Sequence, residues 1–197
     1  MCTECLDSIP VTEPPHLPYG WRIKEDSPVR SVCSYWDFQE QIQTLIHALK
    51  YRRKPSLGEF LGRYIASEVT VSWIRSVDII IPVPLHKTKQ RARGFNQTAA
   101  IAKGLSQELH LPVCDTALVR EKYTQTQTRL SRSERRYNLI DAFRVSSGFR
   151  PSKNENILLV DDVFTTGATL ESAARSLRKK CESAVYGLTL ATAPLET

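Results

Sequence analysis

No stretch of this sequence is apolar for long enough to cross a bilayer. The longest such runs, residues 77–83 and 157–160, fall far short of the roughly 20 residues that a spanning helix needs. The opening Met1-Cys2-Thr3-Glu4-Cys5 lacks the basic start and apolar core of a secretory segment, so a cytoplasmic chain with no membrane partner is expected. Cysteines are few and odd in number, five in all, which argues against a closed disulfide framework in that compartment. Cys33, Cys114 and Cys181 stand alone, where a buried thiol packing as a small apolar group is expected. Acidic residues are in deficit, 21 against 27 lysines and arginines, which leaves a net charge of +6. Such a surplus favours anionic ligands, and phosphorylated metabolites and nucleic acid both fit it. The basic residues gather at positions 50–54, 87–93, 120–136 and 175–180. The last group suits a solvated helix face equally well.

What is present reads as one domain with a substantial core and a small appendage, in 197 residues that are 41% hydrophobic. Residues 1–31, with Pro10, Pro14, Pro15, Pro18 and Pro28 and no periodic pattern, predict an irregular arm. The remainder, residues 32–197, alternates strands and helices. Residues 32–38 suit a short strand, and Ile42, Leu45, Ile46 and Leu49 fall at helical spacing. Ser56 to Glu59 matches a capping box ahead of an apolar stripe through Leu57, Phe60, Leu61, Tyr64, Ile65 and Val69. The β-branched run at 77–81 predicts a strand covered on both faces, ended by Pro82 and Pro84 and followed by a basic loop. A helix over 95–109 and short strands at 118–120 and 142–145 come next. A second buried strand at 157–160, a helix over 168–180 and a closing strand at 184–191 complete the pattern. Alternation of this kind implies an α/β fold with a mostly parallel sheet flanked by helices, whose ligands sit beyond the carboxyl ends of the strands.

The chemistry concentrates after the second buried strand, in Asp161-Asp162-Val163-Phe164-Thr165-Thr166-Gly167-Ala168-Thr169. A phosphate needs backbone amides and hydroxyls converging on one point, and a helix N-terminus supplies free amides and a favourable dipole. Gly167 permits a tight turn close to the anion, and Thr165, Thr166 and Thr169 add uncharged hydroxyl donors. Asp161 and Asp162 would repel a phosphate at contact. They make sense a few ångströms away, accepting hydrogen bonds from sugar hydroxyls. Together these residues predict a ribose 5-phosphate site. In the basic loop, Lys87, Lys89, Arg91 and Arg93 crowd like charges in a way that calls for a polyanion, a solvated basic turn being the alternative.

The run 157–170 resembles the signature of type I phosphoribosyltransferases. Elsewhere the sequence is similar to the ComF family of competence-associated, phosphoribosyltransferase-like proteins. That likeness rests on three further blocks. They are Leu45-Ile46-His47-Ala48-Leu49-Lys50-Tyr51-Arg52, then Ile81-Pro82-Val83-Pro84-Leu85 with Arg91-Ala92-Arg93-Gly94-Phe95-Asn96-Gln97, and Thr124-Gln125-Thr126-Gln127-Thr128-Arg129-Leu130 with Arg135-Arg136-Tyr137-Asn138 and Ala142-Phe143.

The resemblance implies a type I phosphoribosyltransferase-like fold and a glycosyltransferase reaction. Ribose 5-phosphate would pass from phosphoribosyl pyrophosphate, with Mg2+, to an unidentified acceptor. On that reading Asp161 and Asp162 bind the ribose hydroxyls, and Thr165, Thr166, Gly167, Ala168 and Thr169 the 5-phosphate. Lys87, Arg91 and Arg93 bind pyrophosphate. Residues 121–138, with Arg129, Arg132, Arg135 and Arg136, resemble a hood that closes over the sugar, a basic surface for single-stranded DNA being the rival reading. No general base is identifiable, because none of His16, His47, His86 and His110 lies in a loop that must face C1. ComF relatives carry paired Cys-x-x-Cys motifs in an N-terminal zinc ribbon. Here Cys2 and Cys5 offer half of a tetrahedral site, so zinc is not expected to bind. Two other functions stay open: a non-catalytic sensor of phosphoribosyl pyrophosphate, and a DNA-uptake factor whose partners are single-stranded DNA, a competence protein or a second copy of the chain.

Overall fold

Short runs of β-branched and leucine residues build the centre of the molecule. In the computed structural model, which describes residues 3–12, 26–121, 141–152 and 154–193, four of them pair in parallel. They are β1 (Ser31–Asp37), β2 (Ile79–Pro82), β5 (Ile157–Phe164) and β6 (Val185–Thr192), in the order β1-β6-β5-β2. β3 (Leu118–Arg120) and β4 (Phe143–Val145) form a separate antiparallel pair. The helices are α1 (Thr3–Asp7), α2 (Glu40–Tyr51), α3 (Pro55–Glu68), α4 (Lys87–Arg93), α5 (Gln97–Leu109) and α6 (Ala168–Arg178). This is the α/β architecture with a parallel sheet that the alternating pattern implies. No helix among the described residues is long and apolar enough to cross a membrane.

Because successive strand residues point to opposite faces, β5 feeds two cores. Leu158 and Val160 pack with Ile42, Leu49, Leu61, Ile65, Ile101 and Leu105 of α2, α3 and α5. Ile157 and Leu159 pack with Leu170, Ala173 and Leu177 of α6 and with Leu118 and Phe143 of the β3–β4 pair. The path of the chain then defines a crevice. Val113 bridges Ile80 in parallel, held by Cys114 N–H to the Ile80 carbonyl and Ile80 N–H to the Pro112 carbonyl, both 2.9 Å. The chain leaving α5 therefore returns on the side of β2 away from β5, whereas α6 carries it from β5 to β6 the other way. Winding reverses between β2 and β5, and ligands of such sheets bind at the carboxyl ends there.

Four sequence expectations need correction. The basic stretch after β2 is a helix, α4, and not a loop. His86 caps its start by accepting from the Thr88 amide, and Gly94 ends it at φ 83, but none of its residues is buried, so no apolar period announces it. Strand β5 runs on through Asp161 and Asp162 to Phe164, because pairing with Thr189, Ala191 and Thr192 continues past the apolar run. Ser56 does not cap α3: Pro55 occupies the first turn with its φ already set for a helix, and Glu59 reaches Lys103 instead. The segment read as irregular contains α1, from which Leu6 enters the core along with nearby Ile9, while Tyr64 donates to Asp7 at 2.6 Å.

The α3–α5 contact is unusually close for helices. A β-carbon on Gly62 would stand 2.2 Å from the Ile101 carbonyl oxygen, and one on Gly104 would stand 2.1 Å from that of Glu59. Backbone cannot step aside as a side chain does. Gly62→Ala should therefore destabilise the fold by about 1–3 kcal/mol, the ordinary cost of overpacking. Gly148→Ala, where a β-carbon meets nothing within 4 Å, should change the melting temperature very little. Thermal denaturation of the two variants beside the parent checks the contrast.

Candidate functional site

Asp161 and Asp162 lie at the carboxyl end of β5 and, by strand alternation, address different sides. Asp162 is buried and joins the face covered by α2 and α5. Its Oδ2 accepts from Gln97 Nε2 at 2.9 Å and pairs with Lys50 Nζ at 2.9 Å. Gln97, itself buried, accepts from Arg93 Nη1 at 3.0 Å. One carboxylate thus ties together β5, the last turn of α2, the last turn of α4 and the first turn of α5. Asp161 Oδ1 accepts from the Asp162 amide at 2.8 Å. Burial and the neighbouring Asp162 carboxylate push the Asp161 pKa up to about 7, while that amide, Lys50 and Arg120 pull against the rise.

Beyond the aspartates the chain turns into α6 through Thr165, Thr166 and Gly167. Gly167 adopts φ 77, and a β-carbon there would press on the Phe164 ring at 3.1 Å, so both backbone and space demand glycine. The Ala168 amide makes a long contact of 3.4 Å with Thr166 Oγ1, and intrahelical bonding resumes with Glu171 N–H to the Gly167 carbonyl at 2.9 Å. The first amides of α6, at Ala168, Thr169 and Leu170, thus form a helix N-terminus just past the acidic pair.

Lys50 also lines a cleft of about 230 Å³, together with Tyr51, Arg53, Lys89, Ala92 and Arg93. Lys89 and Arg93, four residues apart, share one face of α4, whereas Lys87 and Arg91 are exposed outside the cleft lining. Burial lowers the Lys89 pKa, and so do Arg120, Arg93 and Lys50. The Arg93 guanidinium also lies over the Tyr51 ring, 5.4 Å from its centroid. The loop from β2 is stitched to α5. Thr98 Oγ1 and Asn96 Nδ2 both donate to the Val83 carbonyl, at 2.6 and 3.2 Å, and Asn96 caps α5.

The chain is similar to several known proteins. A family model described as "Phosphoribosyl transferase domain" matches residues 97–190, from the start of α5 into β6. The "DNA utilization protein YhgH" of Escherichia coli (strain K12) is 32% identical over 189 residues, covering 94% of this chain and 81% of the relative. The chain belongs to the ComF family. "Competence protein F" of Haemophilus influenzae is 34% identical over 144 residues, covering 71% and 63%, and "Competence protein ComFC" of Bacillus subtilis is 27% identical, covering 83% and 64%. The fold of this ComF chain is that of a type I phosphoribosyltransferase domain.

Of the site residues expected from sequence, the structure brings Asp161, Asp162 and Arg93 into one neighbourhood and sets the 165–169 turn directly after the acidic pair. Lys87 and Arg91 stand apart. Arg129, Arg132, Arg135 and Arg136 lie outside the described residues, as do Cys2 and the side chain of Cys5. Among the described residues no three of His, Cys, Asp and Glu group closely enough to hold a metal ion. His47 packs on Tyr51 at 4.7 Å and His86 caps α4, so both have local partners. Sequence reasoning assigned no role to Lys50, Arg53 or Gln97. The Lys50-Tyr51 and Phe95-Asn96-Gln97 blocks were visible as family-like, but nothing local tells that a helix end and a helix start converge on one carboxylate.

The raised Asp161 has a consequence for stability. An aspartate that titrates near 3.8 when unfolded and near 7 when folded binds a proton in the native state that the unfolded chain has lost. Stability from this group is therefore present at low pH and lost as pH rises from about 4 to 7. Asp161→Asn should melt above the parent at pH 8, with the advantage shrinking steadily toward pH 4. A difference between the two melting curves that does not depend on pH would show that Asp161 carries its charge without penalty.

Proposed function

We propose that this ComF chain binds the magnesium complex of phosphoribosyl pyrophosphate and transfers ribose 5-phosphate to an acceptor. The C1–oxygen bond to pyrophosphate breaks, pyrophosphate leaves with the electron pair, and C1 bonds to the acceptor. One observation carries this reading: at the end of β5 a carboxylate pair adjoins a helix N-terminus and a cationic cleft whose Lys50 pairs with Asp162. Two carboxylates stand at the end of β5, beside an uncharged, glycine-led helix N-terminus, and Lys50, Lys89, Arg93 and Arg120 surround them. A sugar with hydroxyls in the middle and phosphates at both ends matches that layout. Asp161 and the free oxygen of Asp162 take the ribose hydroxyls, residues 165–169 the 5-phosphate, and Lys89 and Arg93 the pyrophosphate. Charge on the leaving pyrophosphate would be offset by Lys89 and Arg93 together with the magnesium that the substrate would carry.

A second reading has one observation in its favour. Tyr51 is 61% exposed, the largest exposure of any big apolar side chain among the described residues, and it sits in a cationic cleft. Exposed aromatics among lysines and arginines stack the bases of single strands. The names of the relatives, DNA utilization and competence, point the same way. Tyr51→Ala should then weaken oligonucleotide binding, and affinity should fall steeply with salt, by roughly 0.7 in log K per log salt for each phosphate neutralised.

For the first reading, saturating ligand at one hundred times its dissociation constant adds about 2.7 kcal/mol to stability. In a domain of this size that raises the melting temperature by roughly 5–10 °C. The expected result is such a shift with phosphoribosyl pyrophosphate and magnesium together. A well-folded sample that shows none would rule the reading out. Release of pyrophosphate on adding a candidate acceptor would establish turnover.

A further inference from the structure

Helix α2 ends on Tyr51, and the chain turns toward α3 through Arg53, whose backbone is left-handed at φ 49. Just past a helix end that conformation normally belongs to glycine or asparagine, because a β-carbon there crowds the following carbonyl. Glycine would make this turn at lower cost. Arginine brings a long cation instead, and it lines the cleft with Lys50, Lys89 and Arg93. Its Nε passes 3.9 Å from the place where a β-carbon of Gly94 would stand, so the side chain reaches across to the end of α4. Among the described residues Arg53 has no hydrogen bond or ion pair.

A purely structural role explains this poorly. The negative end of α4 already carries Arg91 and Arg93 in its last turn, so a further cation meets like charge there. Lys50 pairs with Asp162, and the residues lining the cleft include four cations and no carboxylate. Backbone strain and crowded like charge at one lip of a cleft persist where a ligand requires them.

We propose that Arg53 is a ligand-binding residue that closes the α2 side of the cleft on a diphosphate group, from outside the α4 segment. This rests on the function proposed above and adds to it a second wall, built by the α2–α3 turn.

Isothermal titration of the full chain with two probes tests it: magnesium phosphoribosyl pyrophosphate, and ribose 5-phosphate, which lacks the diphosphate. Arg53→Gly should weaken phosphoribosyl pyrophosphate binding about tenfold, as loss of one charge-assisted hydrogen bond does, and leave ribose 5-phosphate within twofold. The melting temperature of the unliganded variant should hold or rise by a few degrees, since the strain is relieved. Arg53→Lys should keep most of the affinity. Arg53→Asn, which tolerates the same backbone, should behave as glycine does and serves in its place if that variant fails to fold. Parent-like affinity in Arg53→Gly, or equal loss of both probes with a lower melting temperature, overturns the proposal. A parent chain that binds neither probe refutes the function on which it rests.

Discussion

A single carboxylate oxygen, Oδ2 of Asp162, receives both Lys50 and Gln97 at 2.9 Å, and the geometry of the site depends on that junction. Lys50 belongs to α2 and Gln97 to α5, and Gln97 hands the connection on to Arg93 of α4. A charge placed below the surface is costly unless paired and hydrogen-bonded, and here each requirement is met by a different element. The arrangement also leaves Asp162 with two duties. On the function proposed above its other oxygen would take a sugar hydroxyl, while Oδ2 holds Lys50 and Gln97 in place. A variant at Asp162 would disturb the packing of α2 and α5 as well as any ligand contact, unlike a carboxylate that waits only for substrate.

The junction requires α5 to arrive at a fixed depth, and that is set by glycine. Gly58, Gly62 and Gly104 let α3 and α5 approach until backbone meets backbone, with Ile101 and Leu105 sealed below. Lys103 with Glu59 and Arg63 with Gln107, each at 2.9 Å, flank the contact on the exposed side and add little energy. At the other end of α5 the Val83 carbonyl takes two donors, from Asn96 and Thr98. The helix is thus fixed along its length by packing and at its start by hydrogen bonds. Gln97 is delivered to Asp162 without belonging to any local motif that would announce it.

This explains what was legible beforehand. The buried strands, the apolar stripes of α2, α3 and α5, and the turn from Thr165 to Thr169 were readable because each is determined by neighbours in sequence. The cleft was not. α4 has no buried residue, so a helix made of Lys87 to Arg93 looks like a charged loop, and only its geometry separates Lys89 and Arg93 from the outward Lys87 and Arg91. Ser56 and Glu59 had the spacing of a capping box, but Pro55 took the start of the helix and Glu59 found Lys103. Leu6 and Ile9 were too few to form a period, yet both fill the core next to β1. Local chemistry was visible; convergence from distant segments was not.

The electrostatics of the site bear on the kind of ligand proposed for it. Asp161 is disfavoured as an anion, by burial and by Asp162, and Lys89 is disfavoured as a cation, by burial and by Arg120, Arg93 and Lys50. Opposite charges this near would relieve each other if they met. Lys50 and Asp162 do meet, at 2.9 Å, and Asp162 also favours the Lys89 cation, yet for Asp161 and Lys89 burial and like charge outweigh that relief. A simple anion such as sulfate would satisfy the lysine and leave the aspartate worse off. A simple cation would do the reverse. On the function proposed above one ligand would relieve both, with hydroxyl donors for the strand and negative charge for the helices, spaced by about the width of a sugar ring. A phosphorylated sugar would then be preferred over inorganic phosphate, because only the sugar addresses Asp161 and Lys89 together.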